Sequence, residues 1–207
     1  MNGSSVPLKA LLINCTLTPS PGESSTEKLA GEVAKALEKQ GVSCSMIRAV
    51  DLNLKPGVEA DMGEDDEWSD VRRQMLDADI FILATPTWMG HMSSVAQRVL
   101  ERLDAELSYK DDEGRLETYG KVAGAVVVGN EDGAHKISAD VFQALNDVGF
   151  SLAPGAVTYW NGEAMHTVDY KDLESTPDAV ASTIASLAVN AVHLARPLEQ
   201  QTYPPAS

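Results

Sequence analysis

The chain has 207 residues, 43% of them apolar, and a formal net charge of −15 from 31 acidic against 16 basic side chains. A chain of this length suits one domain that buries roughly 70% of its unfolded surface, and its negative field disfavours nucleic acid and anionic membrane surfaces as partners. No apolar run approaches the ~18 residues of a bilayer span.

The opening MNGSSVPLKALLINC has neither a basic leader nor a lipoprotein box, so a cytoplasmic protein is the simplest expectation. Residues 7–14, PLKALLIN, form a β-rich apolar run, followed by a polar loop and by Leu29, Val33, Ala36 and Leu37 at helical spacing. Gly41 stops that helix, and VSCSMIRAV (42–50) alternates as a second strand. Cys15 and Cys44 belong to no CxxC or Cys/His pattern, which predicts two free, mostly buried thiols rather than a disulfide or zinc site.

The segment EADMGEDDEWSD (59–70) concentrates seven carboxylates without a base. It lacks the DxDxDG spacing of a calcium loop and reads as a solvated loop or helix start rather than a metal site. Val71, Met75 and Leu76 mark a helix that delivers the chain to Asp79 and to a third strand, IFILAT (80–85). That strand is apolar throughout, as expected where helices cover both faces of a sheet. KVAGAVVVG (121–129) reads as a fourth strand leading into a helix from about Ala134 to Val148. SLAPGAVTYW (151–160) is the fifth, and DAVASTIASLAVNAVHLAR (178–196) is a last helix that Pro197 is expected to stop. The domain accordingly spans 1–197, with 198–207 as a mobile tail.

Five strands alternating with helices predict an α/β three-layer sandwich around a parallel sheet of order 2-1-3-4-5, a sixth strand for a dinucleotide fold being absent. Ligands of such sheets bind beyond the carboxyl ends of the strands. Three loops fall there. The first, NCTLTPSPGESST (14–26), carries Thr16, Thr18, Ser20, Ser24, Ser25 and Thr26 and opens a helix whose first-turn amides lack partners. That combination binds a phosphate without Arg or Lys, although capping by Ser24 or Ser25 with Glu27 behind accounts for the same residues. Neither GxxxxGK[ST] nor GxGxxG occurs, which counts against a nucleotide triphosphatase and an ordinary dinucleotide dehydrogenase.

In the second loop, ATPTWMGHMSS (84–94), Pro86 is expected to fix a turn, Trp88 and Met89 offer polarizable surface, and Gly90 lets the backbone approach a flat ring. Backbone amides there can donate to the polar edge of a heterocycle. Trp88 and Met89 also suit a core or an interface, and His91 is either an idle loop residue or a proton donor. The third loop, GNEDGAH (129–135), places Gly129, Asn130 and Gly133 between strand and helix, equally an ordinary turn capped by Asp132.

The hydroxyl-rich first loop, TPTWMGHMSS, GNEDGAH, FQALNDVGF and YWNGEAM with DYKDL together resemble the flavodoxin-like NAD(P)H-dependent FMN reductases, relatives of the tryptophan-repressor-binding-protein type of quinone reductase. The resemblance covers nearly the whole chain. It implies that Thr16, Thr18, Ser24, Ser25 and Thr26 hold the FMN phosphate. By the same likeness Pro86, Thr87, Trp88, Met89 and Gly90 line the isoalloxazine, with Asn130, Glu131, Asp132, Gly133 and Ala134 along its other edge. Departures from the family pattern are the missing basic residue in the first loop, which leaves the phosphate to amides and hydroxyls, and His91 and His166 where smaller residues are common. The four-cysteine cluster of iron–sulfur flavoproteins is absent.

The expected function is an FMN-dependent NAD(P)H oxidoreductase passing electrons to a quinone, a flavin or a similar small-molecule acceptor, chemistry that needs no side-chain nucleophile. The alternative is an electron-transfer flavodoxin whose acidity, including Glu131 and Asp132, attracts a basic partner. A protein of this fold without FMN, acting by contacts alone, is a third reading. The connection AELSYKDDEGRLETYG (105–120) and the YWNGEAMHTVDY loop favour the enzyme, being long enough to reach a neighbouring subunit's flavin in a homodimer or homotetramer.

Overall fold

The computed structural model describes residues 7–164 and 166–205. In chain order the elements are β1 (Lys9–Asn14), α1 (Ser25–Glu38), β2 (Ser43–Arg48), α2 (Trp68–Asp77), β3 (Ile80–Trp88), β4 (His91–Met92), α3 (Ser94–Leu103), β5 (Val122–Gly129), α4 (Ala134–Asp147), β6 (Ser151–Asn161) and α5 (Asp178–Gln200). The sheet order is β2-β1-β3-β5-β6, all parallel, with β4 paired antiparallel to β3 alone. Leaving out that two-residue strand, this is the expected 2-1-3-4-5 order of a flavodoxin-like fold.

Alternate residues of each central strand feed opposite faces. Leu11, Ile13, Phe81 and Leu83 pack with α2, α3 and α4, whereas Leu8, Leu12, Ile80 and Ile82 pack with α1 and α5. Burial on both faces explains why β3 and β5 are almost wholly apolar. Cys15 is buried and Cys44 half-buried, both as free thiols.

The helix α5 is long and apolar enough to cross a membrane by length and hydropathy. One face of it, Val180, Ile184, Leu187, Ala188, Ala191 and Ala195, is buried in the core, while much of the rest of the helix, Val189 included, is exposed. It also passes through Pro197 instead of stopping there, ending at Gln200. A proline there gives up the bond to the carbonyl four residues back and crowds that carbonyl, but few residues follow it in the helix and Leu198 beyond it packs on the core. Beyond the helix, Tyr203 meets Tyr119 edge-on at 5.8 Å between ring centroids, and its hydroxyl accepts a 3.0 Å hydrogen bond from Ser151 Oγ.

The acidic stretch is not uniformly solvated. Asp66 is fully buried in an ion pair with the equally buried Arg102 of α3, at 2.8 Å. Arg102 also donates to the carbonyls of Lys55 and Glu59, and the loop before α2 wraps around its guanidinium. Burial alone would raise the Asp66 pKa, but Arg102 and the amides of Met62, Lys55 and Trp68 overcome it and hold the carboxyl below the ordinary range. Among the described residues no group of three or more His, Cys, Asp and Glu is placed to hold a metal ion.

The connection between α3 and β5 is pinned to its own chain. Arg72 of α2 grips Glu106 with two nitrogens at 2.8 and 2.9 Å and reaches Glu117 at 2.7 Å, and Thr118 Oγ1 donates to the Val148 carbonyl.

Candidate ligand site at the carboxyl ends of the strands

The strand β3 does not turn at Pro86 but runs on to Trp88, with Pro86 in register with Val128 of β5. Pairing with β1 ends at Ala84, so a residue without an N–H sits where the sheet has opened on one side. The turn falls at Met89 and Gly90, whose φ values of 52° and 73° are both positive. Two such residues between antiparallel strands form the turn that matches strand twist. Glu131 Oε1 accepts a 2.7 Å hydrogen bond from the Met89 amide. The third loop therefore braces the hairpin with a carboxylate. Its cap also differs from expectation: Gly133, not Asp132, is the N-cap of α4, and the Asp132 side chain accepts from the Gly133 amide.

The first loop is built as a cradle with added supports. Ser24 Oγ caps α1 by accepting from the Glu27 amide at 3.2 Å, and Ser25 Oγ accepts from the Lys171 amide at 3.1 Å. The amides of Ser25 and Thr26 are left without intrahelical acceptors. Asn14 Oδ1 accepts from the Thr16 amide, and Thr16 Oγ1 from that of Thr18. From the end of β2, Arg48 donates to the carbonyls of Thr18 and Gly22 and pairs with Glu27. Asn14 and Arg48 are cross-strand partners in register.

A cavity of about 240 Å³ opens between these parts. Thr16, Thr18, Ser24, Ser25 and Thr26 line one end of it. Pro86, Thr87 and Trp88 line a side, and Gly129 and Asn130 face them from β5. Thr87 Oγ1 is buried on this wall without a hydrogen-bond partner, and Asn14 Nδ2 at the end of β1, which does not line the cavity, is also buried without one. Trp88 is 55% exposed, so its indole offers a free face at the mouth. The remaining expected site residues lie off the wall. Met89 is 87% exposed, Gly90, Glu131, Asp132 and Gly133 make the hairpin brace, Ala134 is buried in the core, and His91 stands exposed across the hairpin from Trp88.

A whole wall of the cavity comes from a segment that pattern reading did not single out as lining it. Trp160, Asp169, Tyr170 and Lys171 line it, in the YWNGEAMHTVDY and DYKDL segments that the sequence marks by family likeness and by a length suited to reaching a neighbouring subunit. Asn130 Nδ2 approaches the His166 carbonyl and Asp169 at 3.4 Å each, and the Gly162 amide donates to the Gly129 carbonyl at 2.8 Å. The end of this loop thus closes over its own chain's cavity. Met165 lies outside the described residues. Tyr170 is buried, 5.5 Å from the Trp160 ring, and donates to Glu32. Burial first, and then the bond to Glu32, pushes its phenol above its ordinary value. Lys171 supplies the basic group that the first loop lacks, from 146 residues away. Arg48 had a detectable signal, its place at the carboxyl end of the strand next to β1; Lys171 had none of that kind.

Unpaired amides at a helix start, hydroxyls at one end and an orphaned hydroxyl beside an aromatic face form a donor set that suits a flat heterocycle bearing a phosphate. Residues 8–164 match the family described as NADPH-dependent FMN reductase. An 8-demethyl-8-aminoriboflavin-5'-phosphate synthase of Streptomyces davaonensis is 32% identical over 208 residues, covering 95% of this chain and 80% of that protein. A crystal structure of RosB with a bound intermediate, 8-demethyl-8-formylriboflavin-5'-phosphate, aligns with a TM-score of 0.85 at 31% identity, over 95% of this chain and 82% of that one. A divalent metal cation transporter, MntH, of Mycobacterium bovis is 36% identical over 198 residues. The match takes in 92% of this chain but 29% of the transporter, so the chain spans less than a third of that relative.

Proposed function

The chain belongs to the NADPH-dependent FMN reductase family, and from that premise we propose that it is an FMN-binding NAD(P)H oxidoreductase delivering electrons to a quinone, a flavin or a similar small acceptor. The observation that carries this reading is the cavity joining the α1 start to the ends of β3 and β5, with the Thr87 hydroxyl unpartnered on its wall.

The amides of Ser25 and Thr26 and the hydroxyls of Thr16, Thr18, Ser24 and Thr26 would hold the phosphate. Thr87 would give its hydrogen bond to the polar edge of the ring, and Pro86, Trp88, Gly129 and Asn130 would orient it. Bound FMN supplies the two-electron redox chemistry. Trp88, half open to solvent, is suited to stack against an incoming planar substrate. The buried Tyr170 and its neighbour Trp160 exclude water from the inner side.

The test is the visible spectrum of the purified protein with added FMN, followed by NADH and NADPH oxidation with a panel of quinones and free flavin. A yellow protein with turnover supports the oxidoreductase. A yellow protein without turnover replaces it with an electron carrier, and no flavin uptake removes both.

A second reading has its own support in the RosB alignment and the synthase relative, which are matched over most of their length. In it the flavin phosphate is a reactant and leaves the cavity altered. Mass spectrometry of flavin extracted after turnover separates the two: an unchanged mass fits a cofactor, a changed mass fits a substrate.

A further inference from the structure

Three anchors on α1 hold the segment around Lys171 against the cavity. Lys28 Nζ donates to the carbonyls of Tyr170, Lys171 and Leu173 at 3.2, 3.3 and 2.8 Å. Ser25 Oγ accepts from the Lys171 amide at 3.1 Å, and the Tyr170 hydroxyl donates to Glu32 at 2.5 Å. The backbone of Lys171 is therefore tied to the same helix start that forms the phosphate end of the cavity. Lys171 itself is among the residues that line this cavity, together with Thr18, Ser24 and Thr26.

The charges around this end are unbalanced. Glu23 and Asp169 share the wall, and Lys171 is the one Lys or Arg on it among the described residues. Two nearby cations are already engaged: Lys28 with three carbonyls, and Arg48 with two carbonyls and Glu27. A phosphate brought beside carboxylates without a mobile cation would meet repulsion as well as loss of hydration. The Lys171 ammonium is paired with Asp172 at 2.7 Å, and Asp172 is half exposed. Such a surface pair contributes little, and the carboxylate it releases is readily rehydrated.

On the reading that the cavity holds a flavin 5'-phosphate, we propose that Lys171 selects phosphorylated over unphosphorylated flavin by exchanging Asp172 for the phosphate. Ser25 and Lys28 act as positioning residues, fixing the backbone from which the ammonium reaches. Selection is then a charge-assisted contact superimposed on the amides and hydroxyls, and it is sensitive to ionic strength.

The experiment titrates flavin-free protein with FMN and with riboflavin, following flavin fluorescence at low and high salt. The wild type is expected to prefer FMN, more so at low salt. Lys171→Gln should weaken FMN about ten- to a hundredfold, the range of one charge-assisted hydrogen bond. Its riboflavin affinity should stay at the wild-type value and the salt effect on FMN should shrink. Lys171→Arg should retain the preference, and Asp172→Asn should bind FMN at least as tightly as wild type. Unchanged FMN affinity in Lys171→Gln, or equal losses for both flavins, overturns the assignment to Lys171 while the flavin site itself stands. A wild type that takes up neither flavin overturns both.

Discussion

Gly133 rests on Gly90: a Cβ added to Gly133 would lie 2.8 Å from the Gly90 Cα, and the residue has φ +140°. The loop after β5 and the turn between β3 and β4 are thus packed backbone to backbone, so the position of Trp88 depends on a residue 45 places away in the chain.

Gly133→Val should force these two loops apart. We expect a loss of about 1–3 kcal/mol in stability from strain and overlap, with a matching fall in flavin occupancy. Gly31→Ala is the control, because that α1 glycine has nothing within 4 Å of an added Cβ and helix propensity favours the change. Thermal melts and the flavin-to-protein absorbance ratio read both effects, and unaltered occupancy in Gly133→Val would detach the third loop from the site.

Thr87→Val tests the orphaned hydroxyl in two directions at once. It removes a buried polar atom that lacks a partner while keeping the branched shape packed against Gly129. The flavin-free protein should be as stable as wild type or more so. Flavin affinity should drop by about 1 kcal/mol, the net worth of one hydrogen bond. Denaturation without ligand and a flavin titration give the two signs, and equal affinity would mean that Thr87 does not meet the ligand.

Asp66→Asn leaves the buried Arg102 without its carboxylate, for which an expected cost is about 3–5 kcal/mol. The pH dependence follows from the depressed folded pKa of Asp66. Below its unfolded value, about 3.9, the unfolded chain binds a proton that the folded chain still refuses, so stability falls as pH drops through that window towards the folded pKa. Above it the contribution is fully present. Urea denaturation from neutral to acid pH should show a steeper acid loss in wild type than in Asp66→Asn, and parallel curves would sink the assignment.

Trp88→Ala removes the half-open aromatic face at the cavity mouth. Loss of stacking worth about 0.5–1.5 kcal/mol predicts a roughly two- to twelvefold lower kcat/KM for a quinone acceptor. If donor and acceptor take turns on one face, double-reciprocal plots should be parallel. Its hairpin neighbour His91 is exposed and off the cavity wall, so His91→Ala should leave these constants unchanged at all pH values. A selective loss for His91→Ala at high pH would instead identify it as a proton donor.

Pattern reading placed every long strand to within a few residues because burial on both sheet faces writes itself into local composition: β3 and β5 are apolar runs whatever their neighbours. It failed where a long-range contact overrides a local rule. Pro86 stayed in β3 because the sheet has opened on the β1 side, and Pro197 stayed in α5 because it sits in the last turn with Leu198 packed beyond it. Asp66 looked like one solvated carboxylate among seven until Arg102, 36 residues on, buried it.

By itself the sequence determined the order of the parallel sheet, the hydroxyl cradle at the α1 start and the approach of the loops after β1, β3 and β5, since periodicity and helix-end chemistry are local properties and right-handed crossovers leave few ways to arrange them. Only the tertiary structure decided the fourth wall of the cavity. Lys171 meets Ser25, and Asn130 meets Asp169, across separations for which no local periodicity exists. The division between wall and brace was decided in the same way: Thr87 and Trp88 at the end of β3 line the cavity while Glu131 and Gly133 hold the hairpin, because these roles depend on how far β3 extends and on what the loop after β5 packs against.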